Sequence, residues 1–280
     1  MDTTSQNIDR SFYKPMQYSP KVTLILGGGG ARGFAHVGTL KALHEAHIPI
    51  DLIIGTSVGS LIGALYAFNP DPQALYNLAL KTTRSMFFNL NLWRFWHGLS
   101  NGMSLYNFVK QNTHDSHFED LKVPLIAVAV NHNTGQLTPI STGCSVAKAV
   151  QASTALPPLY RPVKVDDHIL IDGGAVSPCA VEIARMCDAK LIIAAVVPPT
   201  PSFLKRIPSH AFAHFMRFES LREKRLVDLA AEKADIVIEP NLHDHGILDF
   251  NRKENLIKAG EESAKAALPK LRYQIESKLK

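Results

Sequence analysis

The chain is poor in cysteine. Cys144, Cys179 and Cys187 are the three among 280 residues, and no two stand in CxxC spacing. An odd number so placed gives neither a disulfide framework nor a zinc knuckle. Free cysteines of this kind read as small buried residues. Long apolar runs are missing too: Leu191 to Val197 is the longest, far too short to cross a bilayer. Residues 1–20 are polar and lack the apolar segment of a secretory signal. These absences lead to the expectation of a cytoplasmic protein. No internal repeat, low-complexity tract or linker interrupts the chain, so residues 21–280 read as one domain behind a polar N-terminal segment, 1–20. Excess charge is small, a net +5, and it is spread along the chain rather than clustered. That is the pattern of a solubility charge. A nucleic-acid partner is not expected, and peripheral contact with an anionic membrane stays open.

What is present is an alternation of short aliphatic runs and amphipathic stretches. Val22 to Leu26 reads as a buried strand ending in glycine. Val37, Leu40, Leu43 and Ala46 follow on one helical face. Leu52 to Ile54 is a second strand, and Ser60 to Phe68 a second helix stopped by Asn69-Pro70. Strand, helix, strand, helix in this order indicates a βαβ unit and a parallel sheet. Asp71 to Thr83 reads as a helix capped by Asp71, with Pro72 at its first position. Further strands are expected at Val123 to Val130, Leu137 to Ile140, Ile169 to Ile171, Lys190 to Val197 and Ile236 to Ile238. Further helices are expected at Ser145 to Ala155, Phe212 to Ala231 and from Asn251 onward.

The first two strands each end in a glycine turn. The second turn, Gly55-Thr56-Ser57-Val58-Gly59, fits the G-x-S-x-G nucleophile elbow. A serine on a sharp strand-to-helix turn is exposed at a helix N-terminus, and its neighbours two residues away must be small. The pattern alone is a modest signal. With glycine and serine each at roughly 7%, it arises by chance in about one chain in ten of this length. The first turn, Gly27-Gly28-Gly29-Gly30-Ala31-Arg32-Gly33, supplies what an elbow lacks. Acyl transfer generates an oxyanion, and consecutive glycines let several backbone N–H groups point at one place. Arg32 either holds this loop or adds positive potential. A dinucleotide-binding reading stays open, because Gly28 to Gly33 also matches G-x-G-x-x-G after a strand. It lacks the acid expected after the second strand, where Gly55 stands.

A serine nucleophile needs a base. Twelve histidines are available. The pairs His243/His245, His114/His117 and His210/His214 have no further metal signature around them and read as surface or packing residues. Asp172-Gly173-Gly174, at the end of a short apolar strand, is the better candidate. An aspartate there acts as a base if burial raises its pKa, or merely caps the turn.

These elements together resemble the patatin-like phospholipase family, above all its short bacterial members. Gly28 to Gly33, Gly55 to Gly59 and Asp172 to Gly174 match its glycine loop, elbow and D-G-G motif in order. Gln151 to Pro157, Val176-Ser177-Pro178, Asp235 to Pro240 and Gly246 to Phe250 resemble further family segments, so the match runs from about Val22 to Ala266. Gly27 stands where the family often has Asp or Ser. The resemblance implies an α/β fold: a three-layer sandwich with a mostly parallel central sheet and helices on both faces. It implies a serine acyl hydrolase that cleaves fatty-acyl esters of (lyso)phospholipids or related lipids. Ser57 would be the nucleophile, Asp172 its base, and the amides of Gly28, Gly29 and Gly30 the oxyanion hole. Arg32, Gly33, Gly55, Gly59, Gly173 and Gly174 would support the motifs, without metal or organic cofactor. A catalytically silent lipid-binding protein on the same fold is the alternative.

Two further segments carry expectations. The aromatic cluster from Phe87 to Trp96 reads as core or as an acyl groove wall over Ser57. Phe203 to Arg225 mixes aromatic and basic residues, as a packed helix or a membrane-facing surface would.

Overall fold

A computed structural model describes residues 7–83, 100–199, 211–243, 245–246 and 249–279. The aromatic cluster from Phe87 to Trp96 lies outside the described residues, as do residues 200–210. The described strands are β1 (Val22–Leu26), β2 (Leu52–Thr56), β3 (Leu125–Asn131), β4 (Leu137–Ile140), β5 (Val163–Val165), β6 (His168–Asp172), β7 (Leu191–Ala195) and β8 (Ile236–Ile238). The helices are α1 (Phe34–Glu45), α2 (Val58–Phe68), α3 (Pro72–Lys81), α4 (Met103–Asn112), α5 (Val146–Ser153), α6 (Val181–Met186), α7 (Ala211–Ala231) and α8 (Lys253–Lys278), with a 3-10 turn at Gly30–Gly33. α3 starts as expected: the Asp71 carboxylate accepts from the amides of Gln73 and Ala74, and Pro72 follows.

The strands form one eight-stranded sheet, β5-β6-β3-β2-β1-β7-β8 by hydrogen-bonded neighbours, with β4 also on β3. β1, β2, β3, β7 and β8 are parallel; β4 and β6 run antiparallel to β3. The central strands are buried on both sides, which explains their continuous aliphatic runs. Val22, Leu24 and Leu26 face one core with α1 and α2. Ile25 faces another with Val181, Ile183 and Ala184 of α6. Helices therefore cover both faces, the three-layer α/β arrangement that the family resemblance implied. Phe12, in the polar N-terminal stretch, is 3% exposed and packs against Ala127, Ala129 and Leu170.

Register on β3 decides where the site forms. Residues Ala127 and Val128 pair with both β2 and β4, so those two strands occupy opposite edges. Ala129 and Val130 pair with both β4 and β6, so β6 lies on the edge that β2 uses. β2 ends with Thr56 opposite Val128, and β6 ends with Asp172 opposite Ala129. Their C-termini thus meet head to head, and the residues that leave them face one another. Next to β2, the chain reverses its direction of build across β1, passing from β2 on one side to β7 on the other. Such switch points in parallel sheets open a crevice at the strand C-termini.

α1 and α8 pack almost backbone to backbone. A Cβ on Gly260 would lie 1.9 Å from the Ala35 carbonyl oxygen, and one on Gly38 would lie 1.8 Å from that of Ile257. Gly260→Ala must push the helices apart. We expect it to cost about 1–3 kcal/mol, the usual penalty of overpacking, read as a lower urea midpoint at unchanged m value.

Candidate active site

Ser57 follows β2 and is the cap residue of α2. Its backbone lies at φ 53°, ψ −124°, a left-handed conformation that non-glycine residues rarely adopt. The turn is sharp enough that Gly55 and Gly59 have no room for side chains. A Cβ on Gly55 would sit 2.5 Å from the Ser60 backbone, and one on Gly59 would sit 1.9 Å from the Leu26 carbonyl oxygen. The elbow expected from the glycine spacing therefore forms, and it lifts Ser57 into a pocket.

Asp172, at the end of β6, meets it there. The Ser57 hydroxyl donates to Asp172 Oδ2 at 2.6 Å. Asp172 Oδ1 accepts the Gly174 amide at 2.7 Å. One carboxylate oxygen thus caps the turn, as one reading of this aspartate expected, and the other accepts from the serine. Gly173 lets the chain pass close to β3, since a Cβ would lie 2.3 Å from the Val128 carbonyl oxygen. Asp172 is 2% exposed. Burial pushes its pKa up to about 7, against the bonds from Ser57 and the Gly174 amide, which favour the charged form.

The glycine loop closes the third side. Gly29 has φ 154° and Gly30 φ 57°, both glycine territory. Among the described residues the amides of Gly29 and Gly30 have no hydrogen-bond acceptor, and both glycines line the pocket. Gly28 differs from expectation. Its amide donates to the Pro178 carbonyl at 2.9 Å, so that N–H is spent on joining the loop to the segment after Asp172. Gly33 presses on Val58, a Cβ there coming within 2.4 Å of Val58 Cγ1. His36, fully buried in α1, donates from Nε2 to the Gly27 carbonyl at 2.9 Å. A carbonyl only accepts, so Nε2 carries the proton; burial lowers the histidine pKa to about 4 and keeps the ring neutral.

Arg32 holds the loop. Its Nε donates to the Gly29 carbonyl at 3.2 Å, and its Nη2 meets both Glu223 carboxylate oxygens at 2.8 and 2.6 Å. Arg32 is fully buried, and burial raises the Glu223 pKa while Arg32 opposes that rise. Next along α7, Arg222 donates to the carbonyls of Gly174 and Ala175 and pairs with Glu219. Adjacent residues of one helix thus grip the glycine loop and the aspartate turn. No local motif marks Arg222 or Glu223, which lie far along the chain from their partners. Among the described residues no histidine lines the pocket at Ser57: His245 bonds Asp249 at 2.9 Å, and His210 lies outside the described residues.

The pocket beyond Ser57 is apolar. It is walled by Leu61, Ile62 and Leu65 of α2, Leu75 and Leu78 of α3, and Leu105 of α4. Val58 to Leu65 along α2 spans about 10 Å at the helical rise per residue.

A family model for the patatin-like phospholipases matches residues 24–185, more than half of the chain. The chain belongs to the patatin-like phospholipase family. It is 35% identical over 187 residues to a patatin-like phospholipase domain-containing protein, ZK370.4, of Caenorhabditis elegans, covering 62% of this chain and 13% of that protein. It is 37% identical over 180 residues to lysophospholipase NTE1 of Coccidioides immitis, covering 62% of this chain and 11% of that protein. The chain therefore spans a small fraction of these relatives. Among solved structures it resembles VipD of Legionella pneumophila, with TM-score 0.54 at 14% identity over 92% of this chain and 69% of that one. That likeness concerns the fold. Membership of this family leaves the dinucleotide reading without support.

Burial of Asp172 has a consequence for stability. Its folded pKa of about 7 lies above the ordinary 3.8. The folded state holds the proton more tightly than the unfolded chain, so the contribution is full below the ordinary value and is lost as pH rises through about 7. Asparagine stays neutral and escapes that loss. Asp172→Asn should melt several degrees above the wild type at pH 8.5, with the gap closing toward pH 4 in thermal circular dichroism.

Proposed function

We propose that this patatin-like protein hydrolyses fatty-acyl esters of (lyso)phospholipids or related lipids, with Ser57 as nucleophile and Asp172 as general base. The observation that carries this reading is the direct 2.6 Å hydrogen bond between them in a pocket walled by apolar side chains. The names of the relatives, a patatin-like phospholipase domain protein and a lysophospholipase, point to the same substrate class.

The acyl tail lies along α2 in the apolar pocket, placing the ester carbonyl over Ser57. Asp172 Oδ2 takes the hydroxyl proton as Oγ attacks. Charge collects on the carbonyl oxygen, which the free amides of Gly29 and Gly30 receive in a dry site. Asp172 returns the proton to the departing alcohol, leaving an acyl-Ser57 ester. Water then attacks with Asp172 again as base, Asp172 passes that proton to Ser57 Oγ as the acyl–oxygen bond breaks, and the fatty acid leaves. This chemistry asks Asp172 to be ionised at the start and close in pKa to the working pH, which a value of about 7 provides. Gly28 has a structural part in this scheme, through its bond to Pro178.

Contact with an anionic membrane fits α7. Phe218 is 61% exposed and Leu221 50%, on the helix that contributes Ser220 and Glu223 to the pocket. Val176, beside the aspartate turn, is 43% exposed. The apolar side chains would enter the lipid surface and bring the pocket mouth to it.

Hydrolysis of p-nitrophenyl esters of graded length tests the reading. Ser57→Ala and Asp172→Asn should each lose at least about a thousandfold in kcat, and the wild-type rate should climb through about pH 7 as Asp172 ionises. Full activity in Ser57→Ala would refute it. Leu65→Trp, which fills the pocket about two helical turns along α2 from Ser57, should lower turnover of long-chain esters about tenfold or more while short-chain esters are spared. For the membrane, flotation with phosphatidylglycerol vesicles should recover the wild type and lose Phe218→Asp/Leu221→Asp; equal flotation of both would remove α7 from the interface.

A further inference from the structure

The head-to-head meeting of β2 and β6 leaves a break in the hydrogen bonding of β3. In the parallel ladder the Ile53 amide donates to the Pro124 carbonyl at 2.9 Å. Two-residue periodicity carries the ladder on to Gly55 opposite Ala127, and the next rung would join the Ser57 amide to the Val128 carbonyl. That rung is not made directly, because the chain turns into the elbow at Ser57. β6 takes over the pairing only from Ala129. Left alone, the turn would strand one buried donor and one buried acceptor at the nucleophile itself.

Ser153, the last residue of α5, fills the gap. Its side chain is fully buried. Its hydroxyl donates to the Val128 carbonyl at 2.6 Å and accepts the Ser57 amide at 3.0 Å. A hydroxyl has one proton, and a carbonyl can only accept, so the proton goes to Val128 and the lone pair to Ser57. The missing rung is thereby made through a side-chain oxygen. The chain leaves the sheet there and bends sharply, with the Ser57 amide and the Val128 carbonyl both paired through this one hydroxyl.

Building on the reading of Ser57 as nucleophile, we propose that Ser153 is a positioning residue for it. The Ser153 hydroxyl holds the Ser57 peptide in its left-handed conformation, and so fixes Oγ against Asp172. It touches no reacting atom. Its loss frees the Ser57 amide to rotate toward the vacated space, and the strained φ of 53° relaxes away from the attack geometry. The effect falls on the chemical step and spares binding of the acyl tail, whose wall is made by other residues.

The test uses four variants, Ser57→Ala, Ser153→Ala, Ser153→Thr and Ser153→Val, assayed as whole chains on p-nitrophenyl butyrate well below their melting temperatures. Threonine and valine are nearly the same shape and differ by the hydroxyl. Ser153→Ala should lower kcat about 10- to 100-fold with KM within about threefold. Ser153→Thr should exceed Ser153→Val in kcat by about tenfold or more at equal folded fraction. Labelling of Ser57 by a fluorophosphonate should slow in the same ratio as kcat. Threonine and valine variants of equal kcat, or an alanine variant with wild-type kcat, would overturn the positioning role while leaving Ser57 in place as nucleophile. Activity in Ser57→Ala would instead remove the reading on which the proposal rests.

Discussion

The rest of the site depends on one constraint, the register of β2 and β6 along a shared edge of β3. Because β2 ends at Val128 and β6 ends at Ala129 from the opposite direction, Ser57 and Asp172 are delivered to the same point. Neither strand alone makes a site. A slip of one residue in either pairing would turn the functional side chain to the other face of the sheet. The 2.6 Å bond between the two side chains is therefore a product of long-range topology, and the strained elbow is tolerated because the surrounding backbone leaves no alternative.

Burial does the second part of the work. A carboxylate in water is too weak for the base role proposed for Asp172, and burial raises its affinity for a proton. The same burial would be ruinous without compensation, so the polar groups nearby are tied into pairs. Gly174 and Ser57 satisfy Asp172, Glu223 satisfies part of Arg32, and Arg222 satisfies the carbonyls of Gly174 and Ala175. α7 carries both Arg222 and Glu223, so a single helix on one face of the sheet fixes the two loops relative to each other. Removing one member of such a network leaves its partner buried and unpaired, which costs more than the bond itself contributes.

Much of this was legible in the sequence wherever function requires a local backbone shape. Gly55 and Gly59 flank Ser57 because the turn has no space for Cβ atoms, and that spacing is visible in the chain. The aliphatic runs of β1, β2, β3 and β7 stood out because those strands are buried on both faces. Other elements left little trace. α4 begins at Gly102 in a left-handed conformation with no side-chain cap and buries few apolar residues, among them Leu105 and Val109. β5 is short, with Lys164 exposed in its middle, and α6 is too short for a helical period to show. The partners brought in from a distance were invisible: Glu223 for Arg32, Pro178 for Gly28, Arg222 for the aspartate turn. Ser153 lay within the stretch from Gln151 to Pro157 that resembled the family, but its role exists only once β2 and β6 meet. The donor expected of Gly28 is engaged for the same reason, since the carbonyl that takes it comes from a segment 150 residues away.

The most direct measurement is covalent trapping. The chain would be treated with a fluorophosphonate across pH 5 to 9, and the adduct located by peptide mass spectrometry. A buried Asp172 acting on Ser57 gives a single adduct on Ser57, formed faster as pH rises through about 7, and lost in Asp172→Asn. An adduct on another residue, or equal labelling of Ser57 with and without the Asp172 carboxylate, would contradict the account.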